Sequence, residues 1–371
     1  MKGQVESSYM KEISEEYSLE QVHESAERET YFDCLRIMAT FAVMILHIAS
    51  QYWYAVEVGT FEWKVFSFYD SIVRWAVPVF VMISGALFLR KDQKIERIFK
   101  KHILRIAAAF IFWSAVYALI NLITGRSGIK NALREFVEGP AHLWFLFMIV
   151  GLYILVPLLR KIVVSMELTK YFVLLALVFT FILPYSVTLI SLYSEKIASI
   201  AGKVLNSVCF SFTLGYVSYF VFGYFFSQIN IERKKRWLIY LLGAIGLIVT
   251  SFAQIIFPIS DKGAVNTFHE NMTLNVMFVS VALFTFAKYN LNLPNISQKS
   301  RDIIRKLSEY SFGAYLVHAM VITQLNHLLG FNTLSFNQII SVPVIGVVVF
   351  IISFAISGIL HQIPVFKKYI V

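Results

Sequence analysis

Residues 31–54 read YFDCLRIMATFAVMILHIASQYWY. The stretch is long and apolar enough to cross a hydrocarbon core of about 30 Å as one helix. It nevertheless carries Asp33, Arg36 and His47. Ionisable groups at membrane depth are costly and mark functional positions. Arg36 and His47 are 11 residues apart, which at about 100° per residue is roughly 20° past three full turns. The two therefore share a helix face, separated by about 16 Å along the axis. Asp33 lies one turn before Arg36, in position for an i, i+3 ion pair.

Working outward, the same apolar character recurs in blocks. Of the 371 residues 58% are hydrophobic and 15% charged. A water-soluble chain carries about 25% charged residues, so a soluble globular fold is excluded. The apolar runs are continuous rather than alternating, which excludes an outer-membrane barrel. Ten segments stand out, at about 32–52, 71–89, 103–123, 142–159, 171–191, 205–226, 237–257, 272–288, 311–328 and 339–361. The expected fold is all-α, a polytopic helical membrane protein of about ten crossings. Residues 1–30 form a polar tail with no apolar core, so no cleavable signal peptide is expected, and residues 31–371 form one transmembrane domain. Cys34 and Cys209 are too few for a disulfide framework.

Orientation follows from the basic residues. With the N-terminus cytoplasmic, 23 of the 33 Lys and Arg fall on the cytoplasmic side and seven outside. The other three, Arg36, Arg74 and Arg105, lie within segments. Both termini are thus expected in the cytoplasm, in a cell (inner or plasma) membrane. The net charge of +10 is accounted for by this bias, without a nucleic-acid partner.

Other segments carry companions to the first. The second, DSIVRWAVPVFVMISGALFL, places Arg74 about one turn inside its outer end, at the depth of His47. Its Pro78 releases the Arg74 carbonyl, and Ser84-Gly85 permits close helix packing. The fourth, HLWFLFMIVGLYILVP, opens with His142 and Trp144, and the ninth, YSFGAYLVHAMVI, puts His318 near the bilayer middle with Tyr315 almost a turn earlier. His47, His142, His318 and Arg74 are expected to converge on an outward-opening cavity, with Arg36 at its cytoplasmic mouth. His23, His102, His327 and His361 read as peripheral, and His269 with Glu270 as outside and unspecific. No zinc-like spacing, Gly-rich phosphate loop or G-x-S-x-G turn occurs, so no metal is expected.

Taken in order, FDCLRIMATFAVMILHI, VPVFVMISGALFL, HLWFLFMIVGLYILVP and SEYSFGAYLVHAMVI resemble the acyltransferase 3 family of integral-membrane O-acyltransferases. The similarity covers about residues 30–365 and leans toward the branch typified by the enterobacterial common antigen O-acetyltransferase. It implies a donor, usually acetyl-CoA, taken from the cytoplasmic side, and an acceptor hydroxyl on an extracytoplasmic sugar or glycan. It implies catalytic roles for His47, Arg74 and His318. His47 would be a general base or a transient acyl carrier, and Arg74 an oxyanion or sugar contact. Arg36, Asp33 and Arg105 are expected at the donor, and His142, Trp144 and Tyr315 along the acceptor path. The family's cytoplasmic Arg-x-x-Arg has one counterpart, Arg233 to Arg236 within RKKR, and the basic run 90–105, RKDQKIERIFKKHILR, is an equal candidate for the donor phosphates. The rival class is a multi-pass transporter of a small polar solute. No inverted repeat or pair of short broken helices speaks for it.

Overall fold

A computed structural model describes residues 29–207, 215–256, 259–260, 263–264, 268–293 and 296–371. All but the last two residues of the polar tail, and Cys209, lie outside them. From the N-terminus the helices are α1 (Thr30–Ser50), α2 (Phe61–Ile72), α3 (Ala76–Arg90), α4 (Leu104–Ile123) and α5 (Ile129–Glu138). There follow α6 (Trp144–Val163), α7 (Met166–Ala176), α8 (Leu183–Ser191), α9 (Glu195–Ser207) and α10 (Tyr216–Gln228). The last are α11 (Arg233–Ile256), α12 (Leu274–Asn290), α13 (Gln298–Leu329), α14 (Gln338–Leu360) and α15 (Pro364–Tyr369). A π-helical turn, Ile98–Ile103, leads into α4 and another, Leu177–Ile182, joins α7 to α8. Among the described residues the only strands form a two-residue antiparallel pair, β1 (Ile259–Ser260) with β2 (Gly263–Ala264).

Among the described residues, seven stretches are long and apolar enough to span a membrane: Thr30–Ser50, Phe61–Arg90, Ile95–Ile123, Ile129–Val163, Met166–Ser191, Arg233–Ala253 and Gln338–Leu360. The three other expected segments fall short for different reasons. Residues 205–226 lie partly outside the described residues, leaving the 13-residue α10. The apolar α12 has 17 residues. Segment 311–328 is the second half of the 32-residue α13, and its own His318, Gln324, Asn326 and His327 hold its hydropathy down.

Local sequence sets the helix ends. Thr60 accepts from the Trp63 amide at 3.3 Å to start α2, and Ser297 accepts from Ser300 at 3.1 Å to start α13. Such caps satisfy amide groups left free in a first helical turn. Gly330, at φ +61°, closes α13 in the left-handed conformation that glycine adopts without strain.

The second span is not one helix. It breaks at 73–75, so Arg74 sits in the break between α2 and α3 and not inside a helix as its sequence suggests. Pro78 accordingly falls in the first turn of α3, where its missing amide proton costs nothing.

Helix α1 is the hub. It packs against α2, α3, α12, α13 and α14, and most of its length is buried. Helix α3 crosses α10 at very close range: a Cβ on Gly85 would meet the Phe220 carbonyl oxygen, and one on Gly223 that of Met82. This is the close approach foreseen for the Ser84-Gly85 pair. By contrast α4 and α11 expose Ile111, Leu119, Trp237, Leu241 and Ile248 outward, an apolar belt of the kind a bilayer covers.

Candidate active site

The face of α1 that bears Arg36 and His47 borders a cavity of ≈ 470 Å³. Arg36, His102, Arg105, Ser308, His361 and Lys367 line one end, and His47, His142, Trp144, Phe80 and Tyr315 the other. Arg36 is held in place by its neighbours. Its Nη1 donates to Ser308 Oγ at 2.8 Å, Ser308 in turn donates to Asp33 Oδ1 at 2.6 Å, and Arg36 stands 3.7 Å from the same carboxylate. Asp33 is buried and not on the cavity wall; its place is behind Arg36. Arg105 lies over the Phe312 ring and donates to the carbonyl of Val371. The basic end thus joins the starts of α1 and α4, the middle of α13 and the C-terminal segment.

At the far end three imidazoles meet. Ring centroids lie 5.0 Å apart for His47 and His318, 5.1 Å for His142 and His318, and 6.2 Å for His47 and His142. They come from α1, the turn before α6, and α13. Backbone carbonyls set two of the three tautomers, since a carbonyl oxygen only accepts. His318 Nδ1–H donates to the Tyr315 carbonyl at 2.5 Å, which leaves Nε2 as a bare lone pair, and that atom is buried without a partner. His142 Nε2–H points to the Leu316 carbonyl at 3.4 Å. The Tyr315 hydroxyl donates to the His142 carbonyl, so one residue of α13 fixes both neighbours. Tyr117 adds a further tie, donating to the Leu316 carbonyl and accepting from the Met320 amide, both at 3.0 Å.

His318 is fully buried and borders neither this cavity nor the second one described below. His47 and His142 instead border two. A second cavity of ≈ 330 Å³ lies beyond them, between the C-terminal parts of α4 and α13. His47 is therefore the face shared by two spaces.

Arg74 is elsewhere. It donates through Nε and Nη2 to Asp70 Oδ2 at 2.7 and 2.5 Å. His269 Nδ1 lies 2.9 Å from that oxygen, and His269 Nε2 lies 2.6 Å from Ser71 Oγ. The contact order is that of a Ser-His-Asp set, but all three are buried, none borders either cavity, and the Ser71 hydroxyl is in reach of the Ser67 carbonyl at 2.6 Å. The network clamps the α2–α3 break to the chain before α12. Arg74 thus borders neither of the two cavities that His47 and His142 line, although its charge and that of Asp70 reach His47.

Two readings of peripheral residues change. His102 and His361 are on the cavity wall, and His269 is a buried partner of Asp70. Tyr117, Tyr153, Ser308 and Lys367 had no sequence signal, because each earns its place through elements distant in the chain. Of the two basic runs, 90–105 brings His102 and Arg105 to the cavity. Arg233 and Arg236 border neither cavity, and Arg236 stacks on Tyr289 at 4.2 Å. Among the described residues no His, Cys, Asp and Glu group is arranged to hold a metal ion.

No curated protein and no solved structure matches the chain. A family model described as an acyltransferase domain, that of the acyltransferase 3 family, matches residues 29–360. With nearly its whole length matched, and with apolar helices long enough to span a bilayer, the chain belongs to the acyltransferase 3 family of membrane acyltransferases.

Proposed function

We propose that the protein is an O-acetyltransferase of the inner or plasma membrane. It takes the acyl group of cytoplasmic acetyl-CoA and passes it to a hydroxyl of an extracytoplasmic envelope sugar. The observation that carries this reading is that His47 borders two cavities and shares its helix face with Arg36, about 16 Å away. That separation is roughly the reach of an extended pantetheine arm. Arg36, Arg105 and Lys367 at the basic end suit the nucleotide phosphates of the donor, and the apolar walls beyond suit the arm and thioester. The topology that goes with it has ten crossings, α10, α12 and α13 supplying three, with both termini cytoplasmic. The 23-to-seven division of basic residues supports this orientation.

His47 acts as the base. It takes the proton of the acceptor hydroxyl as that oxygen attacks the thioester carbonyl carbon. The carbon–sulfur bond then breaks and the imidazolium returns the proton to the departing thiolate. His318, its ring 5.0 Å from that of His47, is a positioning residue that packs against the His47 ring and holds its orientation. His142, Trp144 and Tyr315 border the acyl end of the cavity, where the acceptor arrives.

The test uses purified protein in liposomes, labelled acetyl-CoA and envelope glycan precursors. Wild-type protein is expected to bind acetyl-CoA and move label to glycan; His47→Ala is expected to bind and not transfer. Label trapped on His47 without acceptor would replace direct transfer by a two-step route. Wild-type protein that binds no CoA, moves no label and transports a solute would overturn the enzyme reading in favour of the transporter.

A further inference from the structure

The second cavity has its own chemistry. Its ≈ 330 Å³ is bordered by His47 and His142 on one side and by Asn121, Arg126, Thr323 and Gln324 on the other. Its neighbour at the basic end is rich in cations; this one offers an amide pair, a hydroxyl and a single guanidinium. Asn121 Nδ2 donates to Glu135 at 3.0 Å, which fixes that amide in place. Among the described residues the side chains of Arg126 and Gln324 have no hydrogen-bond partner, so their donors and acceptors are free for a ligand.

The placement is equally specific. On α4, Arg105 and Asn121 are 16 residues apart, and on α13 so are Ser308 and Gln324, about 24 Å along each axis. The first of each pair borders the large cavity and the second the small one. The two spaces therefore occupy opposite ends of the same two helices and meet at His47 and His142. One ligand entering from each end would reach the same imidazole from opposite sides.

We propose that this second cavity, with Asn121, Arg126, Thr323 and Gln324, is the acceptor subsite, which holds a sugar ring with one hydroxyl directed at His47. The inference rests on the acetyltransferase reading and adds to it the residues that select the acceptor. Planar amides and a guanidinium match the paired hydroxyls of a sugar ring. The volume stands at the low end for ligand sites, which suits one or two rings and not an extended glycan chain. No net charge changes in the cavity during transfer. The acceptor loses its proton to His47, and the ester leaves uncharged at that oxygen.

The experiment places a thiol in the cavity. Thr323 is exposed and within reach of reagent, so Thr323→Cys is made in a background of Cys34→Ser and Cys209→Ser, with Asn121→Cys as a second position, and the transfer of each unmodified variant is the reference for its modified form. Right-side-out membrane vesicles are loaded with labelled acetyl-CoA, and a charged, membrane-impermeant methanethiosulfonate is added outside. Expected are rapid modification from outside, at least a tenfold fall in label reaching the surface glycan, unchanged acetyl-CoA affinity, and recovery on thiol reduction. The proposal is overturned by modification from the cytoplasmic face alone, by an adduct that displaces acetyl-CoA, or by full transfer after complete modification. Wild-type protein that binds no acetyl-CoA would sink the donor reading instead, a result read separately from the sidedness of labelling.

Discussion

Two buried polar clusters lie within this helical bundle, and they differ in one respect that matters. Asp70, Ser71, Arg74 and His269 are packed against one another, with Asp70 Oδ2 receiving Arg74 and His269, and none of them borders either of the two cavities. His47, His142 and His318 touch only through their rings, keep a bare Nε2 on His318, and adjoin two cavities. Both contain histidines and both are costly to bury. Each keeps one unpartnered atom, Asp70 Oδ1 in the first and His318 Nε2 in the second, but only the second borders the two cavities, where a ligand has room. Polar residues in a membrane domain thus divide into those that hold the fold and those that wait for substrate.

That contrast is broken most directly by exchanging the damage. His47→Ala should cut transfer by about 10²–10⁴-fold, the range for a lost general base, with acetyl-CoA binding and thermal stability close to wild type. Asp70→Ala should do the reverse. It leaves Arg74 and His269 without their shared carboxylate, and breaking a buried pair costs about 3–5 kcal/mol. The expected readout is a marked fall in Tm in detergent, with the folded fraction still binding acetyl-CoA. Should Asp70→Ala keep its Tm and lose transfer, the two clusters would not differ as argued.

A third exchange sharpens the comparison within the site. Arg36→Ala should raise the KM for acetyl-CoA about 10–100-fold while kcat changes less, since a charge-assisted contact to phosphate contributes about 1.5–3 kcal/mol. Asp33→Asn should give a smaller shift in the same direction, because Ser308 still supports the guanidinium. Titration of donor binding and steady-state kinetics check both. Equal losses in the two would make Asp33 a ligand contact and not a support.

How far the sequence foretold this is uneven, for physical reasons. Helical periodicity alone puts Arg36 and His47 on one face, and they do share a cavity wall, since α1 runs unbroken from Thr30 to Ser50 and local geometry suffices. The apolar blocks likewise mark the spans. Arg74 misled because a helix break at 73–75 redirects it, and nothing in VRWAVP distinguishes a kinked helix from two separate ones. His102, His361 and Lys367 reach the basic end only because α15 folds back beside α4, a contact between residues more than 250 positions apart, as Arg105 and Val371 show. Asn121, Thr323 and Gln324 carry no motif, and their value lies in a cavity that exists only once α4 and α13 are packed.

The smallest expected effect is also the most discriminating within the histidine cluster. Tyr315 secures two imidazoles by different atoms: its hydroxyl donates to the His142 carbonyl, and its own carbonyl accepts from His318 Nδ1. Tyr315→Phe removes the first tie and keeps the second, along with the ring that packs 5.8 Å from Phe145. A single neutral hydrogen bond contributes about 0.5–1.5 kcal/mol, so kcat should fall roughly 2–12-fold with the KM for acetyl-CoA unchanged. Tyr315 also borders the larger cavity, so its hydroxyl is within reach of substrate. A loss beyond about 100-fold, at unchanged Tm, exceeds what one positioning bond supplies and would make that hydroxyl a reacting group. A loss confined to the KM for the acceptor would instead assign it to sugar binding, and would extend the acceptor path from the second cavity into the first.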